Sequence, residues 1–142
     1  MPSRHSQQFP TVLLRHDLPD GSEHIDWMLS QDALGTLPLI TFRLESRLDE
    51  LPVGSSLSGC RIADHRPDYL AYEGPVSGGR GSVRRLARGT VLNWVRHTTP
   101  SPERWELDIQ WTAAKQRLEV VRQKLDQWRV FCVTIIHSGD KS

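Results

Sequence analysis

The chain predicts an all-β domain, a small barrel or sandwich of short antiparallel strands with at most one or two short helices. Three observations predict it. Short β-branched and aromatic runs recur along the sequence, separated by Pro, Gly, Asp and Ser turn signals at roughly even spacing. Trp105 to Trp111, WELDIQW, alternates strictly between apolar and polar residues. Val130 to Ile136, VFCVTII, is a second β-rich run close to the C-terminus.

With 142 residues, 37% hydrophobic and 25% charged, the chain is sized and composed for one domain with its own core. Residues 9–136 are expected to form that domain, between a flexible polar lead (1–8) and a flexible tail (137–142). No apolar run approaches the length of a membrane span. The N-terminal MPSRHSQQFP lacks the apolar segment of a secretory signal, so the cytoplasm is the expected address. Cys60 and Cys132 make neither a disulfide framework nor a CxxC metal pair, and both are expected to be buried thiols. A net charge of +1 argues neither for nor against nucleic acid.

Thr11 to Arg15 reads as the first strand, and Pro19, Asp20 and Gly21 spell a turn. His24 to Leu29, HIDWML, reads as the second, with His24, Asp26 and Met28 on one face and Ile25, Trp27 and Leu29 on the other. Leu37 to Leu44 is a further strand. Leu48 to Gly59 is loop-like, with LDEL as a short helical turn. Ser58 to Ala63 leads into DHRPDY, and LAYEG then reads as a strand ending at Gly74. SGGRG is a flexible turn, after which Ser82 to Leu86 and Gly89 to Val95 read as paired strands. The segment from Thr112 to Trp128 carries two readings. Ala114, Leu118, Val121, Leu125 and Trp128 recur at helical spacing, whereas Val120, Val121 and the following β-rich run suit two strands around 118–123 and 127–135.

Three clusters hold residues that carry chemistry. In RHDLPDGSEHID, His24 and Asp26 point to one side of a strand, and a hairpin brings His16 back beside His24. Two imidazoles and a carboxylate make an open site for manganese or zinc, and a solvated turn is the plain alternative. In DHRPDY, His65 and Tyr69 suit contact with a phosphate and Asp64 suits orienting His65; the alternative is a turn whose tyrosine fills the core. In EGPVSGGRGSVRR, Arg80 sits among glycines, without the GK[ST] of a P-loop. Arg80, Arg84, Arg85 and Arg88 form a basic run that no acid interrupts, suited to a nucleic-acid backbone or to a plain solvated face.

The order of these clusters, HD…HxD, then DHxxDY, then the Gly-rich turn and a Gly-Thr, resembles the 3′-phosphoesterase domain at the N-terminus of bacterial DNA polymerase-ligase D and its stand-alone relatives. The resemblance covers about residues 9 to 94, and DHRPDYLAYEGPVSGGRGSV echoes the family's DHPxDYxxFEGxIPxGxYGxG. It implies a compact β-barrel, and strands rather than a helix near the C-terminus. It implies a manganese-dependent enzyme that removes 3′-phosphates and 3′-ribonucleotides from DNA ends, DNA–RNA junctions included, beside a separate ligase or polymerase. His16, His24 and Asp26 match the metal ligands. His65 and Tyr69 match the residues at the phosphate, and Asp64 the preceding acid. Met28 and Leu57 stand where the family has arginines, and Ala63 where it has a glutamate. The implied alternative is a relative without catalysis that binds nucleic acid or protein.

Overall fold

The computed structural model describes residues 3–5 and 8–137. Ten strands follow in order: β1 Ser3–His5, β2 Phe9–Asp17, β3 Glu23–Leu29, β4 Leu39–Leu44, β5 Ser56–His65, β6 Gly74–Pro75, β7 Ser82–His97, β8 Arg104–Gln110, β9 Ala114–Lys124 and β10 Gln127–His137. Two single helical turns, Leu48–Glu50 and Pro67–Leu70, interrupt them. Every strand pairing is antiparallel. The order β7-β2-β3-β4-β5-β10-β9-β8 returns to β7, so eight strands close into a barrel-like ring, and β1 and β6 add to β7 from outside it. Closure leaves the ring without a free edge. Of the expected flexible ends, Ser3–His5 forms the strand β1, and residues 1–2, 6–7 and 138–142 lie outside the described residues.

The ring is filled by aromatic rings. Phe42 is fully buried and stacks on Trp27 at 5.6 Å between centroids, with Trp105 at 5.6 Å and Trp128 at 5.4 Å edge-on. Trp94 extends the cluster to 5.5 Å from Trp105. Two indole N–H groups find acceptors within the core. Trp27 Nε1 donates to Thr11 Oγ1, and Trp111 Nε1 to Gln116 Oε1. Gln116 in turn donates to the carbonyls of Leu48 and Leu51, which fixes the first helical turn under the barrel.

The C-terminal segment is two strands, with a turn at Leu125, which has φ 52° and is 73% exposed. Two other expectations are corrected. LAYEG is not a strand: Pro67 opens a helical turn, and only Gly74–Pro75 pairs with β7. Residues 82–97 are one long strand rather than a hairpin. Gly89 marks no turn there. It lies in β7 because a Cβ would fall 2.7 Å from Trp111 Cε3 and 3.0 Å from the Gln110 carbonyl oxygen.

A second, smaller apolar cluster lies on the outer face of the ring. Val12 and Leu14 of β2, Met28 of β3, Leu39 of β4 and Val83 of β7 face outward, and Tyr69, Leu70 and Val76 cover them. The segment 66–81 is therefore a lid-like cover on the β2–β3–β4 wall.

On another part of the wall, Asp108 is buried and accepts from Arg117 Nε at 2.8 Å and from Asn93 Nδ2 at 3.2 Å. Burial pushes its carboxyl up, but the bonds from Arg117 and Asn93 outweigh that and hold it below the ordinary aspartate value. The stabilisation is complete above the unfolded-state pKa and is lost as pH falls through the lower folded-state value. Arg117→Ala is expected to cost about 1–3 kcal/mol at neutral pH by leaving a buried acceptor short of donors. The difference from wild type should shrink below about pH 4; urea titrations at several pH values check both. Phe42→Ala is expected to cost about 3–5 kcal/mol in the same measurement, since three rings meet around it.

Candidate functional site

The cover segment does not close fully on the wall. Between them lies a cleft of about 510 Å³, lined by His16, Asp26, Met28, Arg43, Asp64, His65, Tyr69 and Arg80 among others. Strand alternation puts these side chains there. Asp26 and Met28 alternate with Trp27 and Leu29, which enter the barrel core. Arg43 alternates with Phe42 and Leu44 and is the direct cross-strand partner of Asp26. His65 ends β5, and Tyr69 follows on the helical turn that Pro67 opens.

His16 and His24 are register partners across β2 and β3, with perpendicular rings 6.1 Å apart between centroids. His16 Nε2 lies 2.6 Å from the Arg80 carbonyl oxygen. A carbonyl only accepts, so Nε2 carries the proton and the lone pair of the neutral ring is on Nδ1. His24 Nδ1 is buried with no hydrogen-bond partner. Asp26 is buried, and its Oδ1 takes a charge-assisted contact from Arg43 Nε at 3.3 Å. The two imidazoles are thus brought together, while the carboxylate is committed to arginine. Among the described residues, no three His, Cys, Asp or Glu side chains form a metal-holding group. As placed, His16, His24 and Asp26 do not form a ready site for a divalent ion.

His65 and Tyr69 are in edge contact at 5.7 Å. His65 Nδ1 donates to the Ala63 carbonyl at 2.9 Å, which leaves Nε2 as the lone-pair atom of the neutral ring. Tyr69 also packs on the outer apolar cluster, so the site role and the core-filling role fall on one residue. Asp64 lines the same cleft, and no hydrogen bond joins it to His65.

The basic run does not act as one patch. Arg80 enters the cleft, with Nε and Nη2 bonded to Ser77 of its own turn. Arg85 is tied to Glu73 through both its backbone N–H and its guanidinium. Arg84 is exposed beside Arg15, and Arg88 lines a separate groove with Val12 and Trp111. Arg61 lies over Trp105, away from the cleft. The residue that sequence reasoning missed is Arg43. Its signal was the alternation of LITFRL, which becomes legible only once the register with Asp26 is known.

The glycine turn is required by contact. Gly81 has φ +87°, and a Cβ there would fall 1.9 Å from the Asp17 carbonyl oxygen. This close approach sets the turn against β2 and lets His16 reach the Arg80 carbonyl.

Neither a protein-family model nor a curated protein matches the chain. No helix among the described residues is long and apolar enough to cross a membrane.

Gly81→Ala is expected to lose about 2–4 kcal/mol, from backbone strain plus a backbone clash. Gly79→Ala, with φ +69° and nothing within 4 Å, carries the strain alone and should cost about 1–2 kcal/mol. Chemical denaturation of the two variants checks the order, and equal costs would remove the role given to the Asp17 contact.

Proposed function

We propose that the cleft binds and hydrolyses a phosphate ester at the 3′ end of a nucleic-acid strand. The observation that carries this reading is the convergence of His16, Asp26, Arg43, His65, Tyr69 and Arg80 on one cleft from five separate parts of the chain. The chemistry of that set suits a phosphate. Arg43 and Arg80 offer guanidinium N–H groups, which match phosphate oxygens in charge and shape. His65 lines the cleft with its ring held by the Ala63 carbonyl, the arrangement of a proton donor or acceptor of fixed orientation. The Tyr69 hydroxyl adds a neutral donor beside it. Met28 removes an arginine from the outer face of β3, and Arg43 supplies a cation to the same cleft from the next strand.

Manganese, with zinc as the alternative, belongs to this reading on His16, His24 and Asp26, and it requires Asp26 to exchange Arg43 for the ion. Such an ion supplies polarisation of a phosphoryl oxygen and a more acidic water. The contacts of Arg43, Arg80, His65 and Tyr69 do not depend on it.

A second reading has one observation in its favour, the engagement of Asp26 by Arg43. In that reading the cleft binds strand ends without turnover, as a DNA-binding or protein-binding module of break repair.

The test is release of phosphate from a 3′-phosphorylated oligonucleotide, and of the terminal nucleoside from one ending in a ribonucleotide, with manganese, zinc or chelator. Turnover is expected with manganese. His65→Ala should slow it by about 100-fold or more, and Arg43→Lys by about tenfold or more through loss of the planar fork. No release by the wild-type protein with either metal would end the enzymatic reading. Oligonucleotide binding that persists in chelator and weakens steeply with salt would then support the binding module.

A further inference from the structure

At one end of the barrel, two arginines turn inward over the aromatic core. Arg96 Cζ lies 4.3 Å from the Trp94 ring centroid and 4.9 Å from that of Trp105. Arg61, from β5, reaches the same indole, with Cζ at 5.7 Å from its centroid. Two guanidiniums thus share one ring. Cation–π contact offsets part of the cost of drawing them out of water, but it offers nothing to their N–H groups. Arg96 Nε is buried with no hydrogen-bond partner, and among the described residues neither arginine has an ion pair. Glu103 acts on Arg96 only through space, because its carboxylate is held by Trp105 Nε1 and faces Arg122. Burial and the neighbouring Arg61 both make the charged form of Arg96 less favourable than in a free arginine.

Like charges gathered over an apolar floor with open N–H groups are poised for an anion. Arg61 also lines a second cleft, of about 630 Å³, together with Arg122, Asp126 and Trp128. It gives Arg61 a way to solvent. It also lies apart from the His65 cleft, which does not include Arg61, Arg96 or Arg122.

We propose that Arg61 and Arg96, over Trp94 and Trp105 at the barrel end, form a second site that takes a phosphate monoester group. A monoester is a dianion near neutral pH and balances two guanidiniums, whereas a diester within a strand carries one charge. The group arrives on a mononucleotide or on a phosphorylated strand end. Mouths of β-barrels with a few polar groups over an apolar floor are common ligand sites. The proposal is independent of catalysis in the His65 cleft.

Tryptophan fluorescence reads this site directly, because the arginines lie on Trp94 and Trp105. The probes are inorganic phosphate, a nucleoside monophosphate, and one oligonucleotide with and without a terminal 5′-phosphate. A saturable change with phosphate is expected in the wild-type protein. It should weaken about tenfold or more in Arg61→Met, the cost of one charge-assisted contact. Arg61→Lys should fall between the two, and Arg43→Met, in the other cleft, should leave the change in place. Arg61 is half-buried at the rim, so its variants keep the aromatic core, and thermal melts verify that they fold. Tighter binding of the monophosphate than of the oligonucleotides would identify a small nucleotide. A preference for the phosphorylated oligonucleotide would identify a strand end. No saturable change in the wild-type protein would overturn the proposal. So would a change that survives Arg61→Met and is lost in Arg43→Met, which would assign the phosphate to the other cleft.

Discussion

The structure depends on the burial of β3 from both sides. Trp27 and Leu29 are in the aromatic core of the ring, while Asp26 and Met28, which alternate with them along the strand, are buried on its outer face. A strand covered on both faces needs two separate apolar partners. The ring supplies one, and the segment 66–81 supplies the other through Tyr69, Leu70 and Val76. The cleft is what remains where that cover turns polar. Its chemical groups therefore stand on packed strands rather than on free loops, and their positions are set by the same alternation that fills the core. A one-residue slip of β3 would send Asp26 into the aromatic cluster and Trp27 into the cleft.

That alternation is why part of the site was legible from the sequence. HIDWML separates its faces cleanly, and the hairpin pairs His16 with His24 as the turn between them requires. The barrel was legible only by resemblance, since spaced short strands suit a sandwich equally well. At the C-terminus the periodicity pointed to a helix for a physical reason. Gln116 occupies an inward position of β9, where its amide bonds Trp111 and two carbonyls, so a polar residue breaks the two-residue repeat. Leu125 meanwhile stands exposed in the turn, and it lent an apolar count to a helical stripe that does not exist.

The basic residues were the least legible, because charge along a sequence says little about charge in space. Arg80 to Arg88 read as one patch. Register and a bulge near Leu86 send its members to the cleft, to Glu73, to open solvent and to another groove. Arg61 is carried away from the cleft, because inward alternation on β5 takes it to Trp105. Arg43 drew no notice in LITFRL, because a lone charge in an apolar run marks an outward position without saying what lies there. The pairing of β3 with β4 decides it, and pairing is a long-range property.

Arg43 also shows how the two readings of the cleft differ in energy. Asp26 is buried, and a buried carboxylate without a partner costs several kcal/mol. In this arrangement Arg43 meets that cost, and the pair is neutral. In the enzymatic reading a divalent ion on Asp26 would meet it instead, and Arg43 would then be open to an anion in the cleft. Metal occupancy and phosphate affinity would in that case be coupled, because phosphate carries the charge opposite to both the guanidinium and the ion. A protein that only binds strand ends gains nothing from that coupling, because Asp26 is already satisfied. His24 Nδ1, buried and without a hydrogen-bond partner, carries a further cost on the same hairpin that Arg43 does not meet.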